Sequence, residues 1–343
     1  MEKTQNTDPF KVHSLFGEDR GAGSANGGTL AFRAITYGKM HGMRIAVMGA
    51  GAVGCYYGGM LARAGHQVML IGRMQHVEAI RRHGLLMDTT GFRAHVPVRA
   101  STEVRDIQGA SLVLCCIKSN DTENAAAMMA PFVGPDAIVL SLQNGVDNAK
   151  RLHALLLRTV YPAVVYVAAE MVGPGHLKHH GRGELVVGPS AMSAEMREDF
   201  ANAGAPVHVS DNVVGELWAK LILNCAYNAI SAITKLPYGL LFENAGARDL
   251  MRLVVHECVA VTQRESITVP GDSWQEVERI AATMSGQFSS TAQDLMRGRR
   301  SEIDHLNGYI VRRGKSLAID TPANQALYSI VKLLESAFTA DQA

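Results

Sequence analysis

Short, unbroken apolar runs recur through the first half of the chain, each bounded by glycine or a polar turn. Met43–Gly51 (MRIAVMGAG), His66–Arg73 (HQVMLIGR), Ala110–Ser119 (ASLVLCCIKS) and Ala137–Gly145 (AIVLSLQNG) have the length and continuity of strands buried on both faces. The segments between them read as helices, the first opening at glycines and stopping at Gly65. Strand alternating with helix predicts right-handed crossovers and a Rossmann-type, doubly wound parallel sheet. From Tyr161 to Gly188 the texture changes to short β-like pieces separated by glycines. After Pro206–Ser210 (PVHVS) the pattern is helical over 212–235, 241–266, 273–284, 291–316 and 322–338. The expected organisation is an α/β domain over 43–210, then an all-α domain over 211–338. Residues 1–42, with GAGSANGG at Gly21–Gly28 and little apolar periodicity, read as a disordered extension ahead of a natural start at Met43.

Composition narrows the class without naming a function. A length of 343 residues suits two domains, and 47% apolar with 19% charged residues is ordinary for a soluble globular protein. A formal net charge of +1 without a dense Lys/Arg block gives no sign of a nucleic-acid or membrane-surface partner. Five cysteines, odd in number and outside any metal-ligand spacing, fit reduced thiols in a cytoplasmic protein with no metal site. The most apolar later stretch, Leu217–Ile233, is short and interrupted by Lys220, Asn224 and Asn228, so it is a poor membrane span.

Candidate chemistry starts at the first strand's end. Gly49-Ala50-Gly51-Ala52-Val53-Gly54 matches GxGxxG, and its place between a strand and a helix gives the pattern its weight. Gly51 lets backbone approach a pyrophosphate, while the helix N-terminus offers free N–H groups and the positive end of its dipole. The acid that usually follows on the second strand, to grip a ribose hydroxyl, is absent; Arg73 stands at that strand's end. A carboxylate there would repel the 2′-phosphate of NADP, whereas a planar guanidinium grips it, so the expected cofactor is NADPH. Lys118 and Asn144 close the next two strands, on the side of an open α/β sheet where ligands lie. Taken alone, each is equally compatible with a capping or turn role.

Lys220, Asn224 and Asn228 are spaced i, i+4, i+8 in an otherwise apolar helical stretch, which puts them in one stripe. Such a stripe is costly to bury unless it lines a wet cleft. Later, Ser289, Ser290, Gln293, Asp294, Glu302 and Asp304 bracket the run RGRR; on charge alone this reads as an exposed helix face with local ion pairs.

Together these motifs resemble the ketopantoate reductases (2-dehydropantoate 2-reductases). The marks are GAGAVG with Arg73, IKS at Lys118, QNG at Asn144, WAKLILNCAYN, and SSTAQD followed by RRSEIDHLNGY, in family order from Met43 to about Phe338. The resemblance implies NADPH-dependent reduction of a small 2-keto acid, ketopantoate, to its 2-hydroxy acid in a cleft between the domains, within pantothenate biosynthesis. It implies that Lys220 is the general acid and Glu302 its carboxylate partner, also touching the cofactor. Asn224, Asn228 and Ser290 would hold substrate; Asn144 would lie beside the nicotinamide, and Lys118 and Arg73 would hold the cofactor. The chain departs from the family pattern at Tyr238, where an Asn is common, and at Thr291, where a Met is common. The alternatives are a reductase of another small 2-keto acid or ketone, and a non-catalytic NADP sensor. Retention of Lys220, Asn224, Ser290 and Glu302 argues against the sensor. The chain is expected to act as a monomer or homodimer.

Overall fold

The first apolar run forms β1 (Arg44–Met48), in which Ile45, Ala46 and Val47 are almost wholly buried, as a strand covered on both faces requires. In this computed structural model, which describes residues 42–189 and 194–340, β1 leads through the glycines into α1 (Ala52–Arg63). There follow β2 (Gln67–Ile71), α2 (Met74–His83), β3 (Leu85–Asp88), β4 (Arg93–Val96), β5 (Arg99–Ser101), β6 (Leu112–Cys115), α3 (Thr122–Met129), β7 (Ile138–Ser141) and α4 (Asn148–Leu156). The extension expected over 1–42 lies, apart from Gly42, outside the described residues.

Strands pair in the order β5-β2-β1-β6-β7 and all are parallel. One apolar layer packs α1 (Cys55, Tyr56, Tyr57, Leu61) on the sheet; the opposite layer packs Ala125, Ala126 and Met129 of α3 and Leu152 of α4. The chain moves outward from β1 to β2 on one side and to β6 on the other. A topological switch point therefore falls between β1 and β6, beyond whose carboxyl ends α/β sheets place ligands.

The glycine-separated stretch after Tyr161 forms two long antiparallel strands, β8 (Val160–Gly173) and β9 (His176–Val187), with β8 continuing the parallel sheet at β7. Register shifts at Tyr166/Val167, Ala168/Ala169 and Met171/Gly173 explain the broken apolar pattern, since each resets which face a side chain takes. α5 (Ala194–Asn202) and β10 (Val207–Val209) complete this half.

The helical half is built on α6 (Val213–Thr234), which Asn212 caps through Gly215 N at 3.1 Å. Trp218, Leu221, Ile222 and Cys225 of this helix bury against α7 (Tyr238–Glu243), α8 (Ala245–Arg264), α9 (Ser273–Thr283), α10 (Ser290–Met296), α11 (Asn307–Leu317) and α12 (Pro322–Ala340). Two expected helices are divided. Asn244 caps α8 through Ala247 N, which separates it from α7. The helix expected over 291–316 stops at Met296, where Gly298 takes φ +63°, and resumes at Asn307 after a single 3₁₀ turn over Ile303–His305. Among the described residues no helix is long and apolar enough to cross a membrane, and no His/Cys/Asp/Glu group is arranged to hold a metal. All five cysteines are free thiols.

Two glycines of the loop separate packing from function. A Cβ on Gly54 would lie 2.0 Å from the Gly49 carbonyl oxygen, whereas a Cβ on Gly51 meets nothing within 4 Å. Gly54→Ala is therefore expected to destabilise the fold by ~1–3 kcal/mol, the usual range for overpacking. Gly51→Ala should leave thermal unfolding unchanged and weaken only cofactor binding. Thermal melts with and without NADPH check both.

Candidate active site

At the switch point, Gly49 takes φ +111°, and a Cβ there would sit 2.8 Å from the Cys116 carbonyl, so only glycine lets the two strand ends close up. Gly49 N and Ala50 N both donate to Ile71 O, at 3.0 and 2.8 Å, fixing the loop to β2. Gly51 is the N-cap of α1 and supplies no side-chain acceptor, so the first-turn N–H groups at Ala52, Val53 and Gly54 have no side-chain cap; the space beside Gly51 is open. Arg73 follows β2 as the N-cap of α2; its backbone carbonyl accepts from His76 N, while its exposed guanidinium makes no described hydrogen bond or ion pair. An open backbone and a helix N-terminus at one sheet end fit the pyrophosphate of a nicotinamide dinucleotide, with an uncommitted guanidinium beside them.

A hydrogen-bonded relay joins both halves. Lys220 Nζ, on α6, donates to Asn144 Oδ1 at 3.1 Å and to the Val165 carbonyl at 2.6 Å. Asn144 Nδ2 donates to Glu302 Oε2 at 3.2 Å, and Glu302 Oε1 accepts the Ser119 backbone N–H at 2.7 Å. Lys220 and Glu302 are thus coupled through the Asn144 amide. Asn144 is itself held by its backbone carbonyl, which accepts from Asn148 Nδ2 at 2.6 Å and Ser119 Oγ at 2.9 Å. Lys118, expected to serve the cofactor, lies 2.7 Å from Asp294 Oδ2 and 3.6 Å from Glu302 Oε2.

Electrostatics follow from this packing. Burial pulls the Lys220 ammonium down to about 8; the Glu302 charge opposes the shift and the nearby Arg182 adds to it. Burial alone would raise Glu302, but Lys118 and the hydrogen bonds from Ser119 and Asn144 outweigh it and hold the carboxyl below its ordinary range. Asp294 moves the other way, because burial exceeds the help it receives from Lys118. Lys118 is held above its ordinary value: Glu302 and Asp294 overcome its desolvation.

Of the polar stripe, Lys220 meets the relay, and buried Asn228 reaches Ser290 Oγ with its Nδ2 at 3.5 Å. Asn224 lies between them, half-buried and without a described hydrogen bond. The neighbouring Ser289 is structural: it caps α10 through Ala292 N at 3.0 Å.

The later polar cluster is not an exposed helix face. Glu302 and Asp294 are 6% and 9% exposed, because the interrupted helix turns both toward the sheet half. Ser301, next to Glu302, is clamped on both sides: its N–H and Oγ donate to Glu335 Oε1 at 2.7 and 2.6 Å, and its carbonyl accepts from Asn120 Nδ2 at 2.8 Å. The departures pack rather than open the site. Thr291 is 1% exposed, and the Tyr238 ring lies 4.5 Å from that of Tyr227.

Sequence reasoning missed Asp294 as the partner of Lys118, although it stands in the quoted SSTAQD. It also missed Arg182 and Tyr166. Arg182, at φ +61° beside the first β8/β9 irregularity, places its Cζ 4.2 Å above the Tyr166 ring; Lys220 Nζ lies 5.9 Å from the same ring. The only sequence signal was glycine on both sides of Arg182.

Comparison with known proteins agrees with this geometry. Residues 45–191 match the family model described as ketopantoate reductase PanE/ApbA, and residues 212–335 match its C-terminal model. A 2-dehydropantoate 2-reductase of Pyrococcus horikoshii is 32% identical over 300 residues, covering 86% of this chain and 98% of that one. One from Caulobacter vibrioides is 32% identical, covering 84% and 97%. Among solved structures, a PanE/ApbA family ketopantoate reductase from Ralstonia eutropha superposes with a TM-score of 0.85 at 58% identity, over 87% of this chain and all of that one. D-mandelate dehydrogenase with NADH and anilino(oxo)acetate superposes with a TM-score of 0.81 at 25% identity, over 87% of this chain. With both halves matched in order, the chain belongs to the ketopantoate reductase family, oxidoreductases acting on the C=O/CH–OH couple.

Proposed function

We propose that this chain reduces 2-dehydropantoate to pantoate with NADPH, in the crevice between a nucleotide-binding half ending near residue 210 and a helical half. The observation that carries it is the Lys220–Asn144–Glu302 relay beside the glycine loop, in a chain whose relatives are 2-dehydropantoate 2-reductases. A nicotinamide cofactor accords with the family and with the bound NADH of the mandelate dehydrogenase. The phosphate-bearing form is favoured by Arg73.

Gly49–Gly54 and the start of α1 would hold the pyrophosphate, Arg73 the 2′-phosphate, and Lys118 and Asn144 the nicotinamide end. When bound, the cofactor supplies the hydride. Lys220 does the rest at the carbonyl oxygen: its charge stabilises the developing alkoxide and its Nζ proton completes the hydroxyl. Asn144 and the Val165 carbonyl aim that amine, and Glu302 keeps it charged against its desolvation. Asn224, Asn228 and Ser290 offer the keto acid its remaining hydrogen bonds.

The test follows NADPH absorbance with 2-dehydropantoate and a panel of small 2-keto acids, including an aryl one. Turnover of 2-dehydropantoate at the highest kcat/KM supports the reading. Turnover only with another acid transfers the reaction to that substrate, and tight NADPH binding without turnover leaves a sensor.

A pH profile examines the acid separately. An amine with a pKa of about 8 is neutral above that value and cannot donate, so reductive kcat should fall as pH rises through about 8. Arg182→Ala removes a positive neighbour, which should move that limb to higher pH; Arg182→Lys should restore it. An identical limb in both variants would separate Arg182 from the amine.

A further inference from the structure

The parallel strands have a second end, away from the crevice, and it too gathers positive charge. A cavity of about 1090 Å³ opens where β1, β2 and β5 begin, beside the last turns of α1 and α2. Arg44, Arg81, Arg99 and Arg105 line it together with His66, and Asp106 is the one acidic side chain among the described lining residues.

Little offsets these charges. Arg105 alone of the four has a described carboxylate partner, Glu103 at 3.3 Å, in an exposed pair of small worth. Arg81 Nε donates to the Ala100 carbonyl at 2.8 Å and Arg44 Nη2 to the Gln108 carbonyl at 3.4 Å; neutral acceptors orient a guanidinium without cancelling its charge. The Arg99 side chain makes no described hydrogen bond or ion pair. A Cβ on Gly109 would lie 2.8 Å from Arg44 Nη1, so glycine leaves that head group its place. His66 Nδ1 is buried without a hydrogen-bond partner.

Like charges gathered in one cavity repel, and a bridging polyanion removes that repulsion while meeting several N–H forks at once. The volume suits a small organic molecule better than a bare ion. It also lies a full strand from the glycine loop, ~17 Å for five residues, so the two anion sites are separate. The preceding residues 1–41 carry five Lys/Arg against four Asp/Glu, a balance that does not complement a basic cavity. We propose that this cavity is a second ligand site, binding a phosphorylated small molecule that carries at least two adjacent phosphate charges.

The experiment is calorimetric titration of the full chain, saturated with NADPH, with inorganic pyrophosphate, using orthophosphate at matched ionic strength as the second arm. The expected result is one pyrophosphate per chain, bound at least tenfold more tightly than orthophosphate. That binding should weaken at least tenfold in Arg44→Gln/Arg99→Gln and persist in Arg73→Ala once NADPH is raised to saturate that variant. If the double variant melts early, Arg105→Gln, at an exposed position, takes its place with the same expectation. Displacement of pyrophosphate by NADPH, equal affinity for orthophosphate, or full binding in the cavity variants would each overturn the proposal.

Discussion

Replacing Lys220 with alanine is expected to lower kcat by ~10²- to 10⁴-fold, the range for a positioned general acid, while NADPH binds almost as before. The amine is the one cationic donor that reaches the relay from α6, and its two acceptors, Asn144 Oδ1 and the Val165 carbonyl, leave little freedom in where it points. On the proposed mechanism, removing it leaves the developing alkoxide without its counter-charge and the reaction without its proton. The loss should fall on kcat rather than on cofactor affinity, because the groove above Gly51 and the Arg73 head group belong to other elements. Lys220→Arg is a stringent companion: it keeps a charge, but a planar guanidinium does not release a proton near neutral pH, so it should not restore the rate. Stopped-flow reduction at saturating NADPH, with fluorescence titration of NADPH, separates the two quantities. An unchanged kcat in Lys220→Ala would remove the residue from chemistry.

Arg73→Ala should weaken NADPH binding by ~10- to 100-fold, the equivalent of ~1.5–3 kcal/mol for hydrogen bonds to a charged group, and leave NADH binding nearly untouched. Arg73 is exposed at the end of β2, where no carboxylate or carbonyl occupies it, so the folded protein gives up nothing when a phosphate arrives. The expected signature is a fall in the NADPH-to-NADH ratio of kcat/KM with kcat itself preserved. Equal weakening of both cofactors would mean that the arginine reads a feature they share. The bound NADH of the structurally similar mandelate dehydrogenase makes this comparison the decisive one for cofactor choice.

Much of this is legible in the amino-acid sequence. Continuous apolar runs ending in glycine announced buried parallel strands, because a strand covered on both faces has no use for alternation. GxGxxG after the first of them marks the strand-to-helix turn at the carboxyl end of the sheet, and the i, i+4, i+8 spacing of Lys220, Asn224 and Asn228 puts them on one helix face. These are local regularities, written in periods of two to four residues, so they survive reading in one dimension.

The rest depended on contacts between residues far apart in sequence. Nothing in the order of residues says that Asn144 stands between Lys220 and Glu302, that Asp294 takes the charge of Lys118, or that Ser301 is clamped by Glu335. The polar cluster around RGRR reads as a solvated helix face because acids bracket a basic run within ion-pair spacing; the Gly298 break turns two of its carboxylates into the interior, where burial and partners set their titration. Arg182 came to the amine through a strand irregularity that period counting cannot place. The linear chain therefore indicated the buried parallel strands, the helical half and which chemical groups are available. Only the folded arrangement decided which of those groups share a desolvated space, since pairing, burial and proton affinity are properties of neighbours in three dimensions.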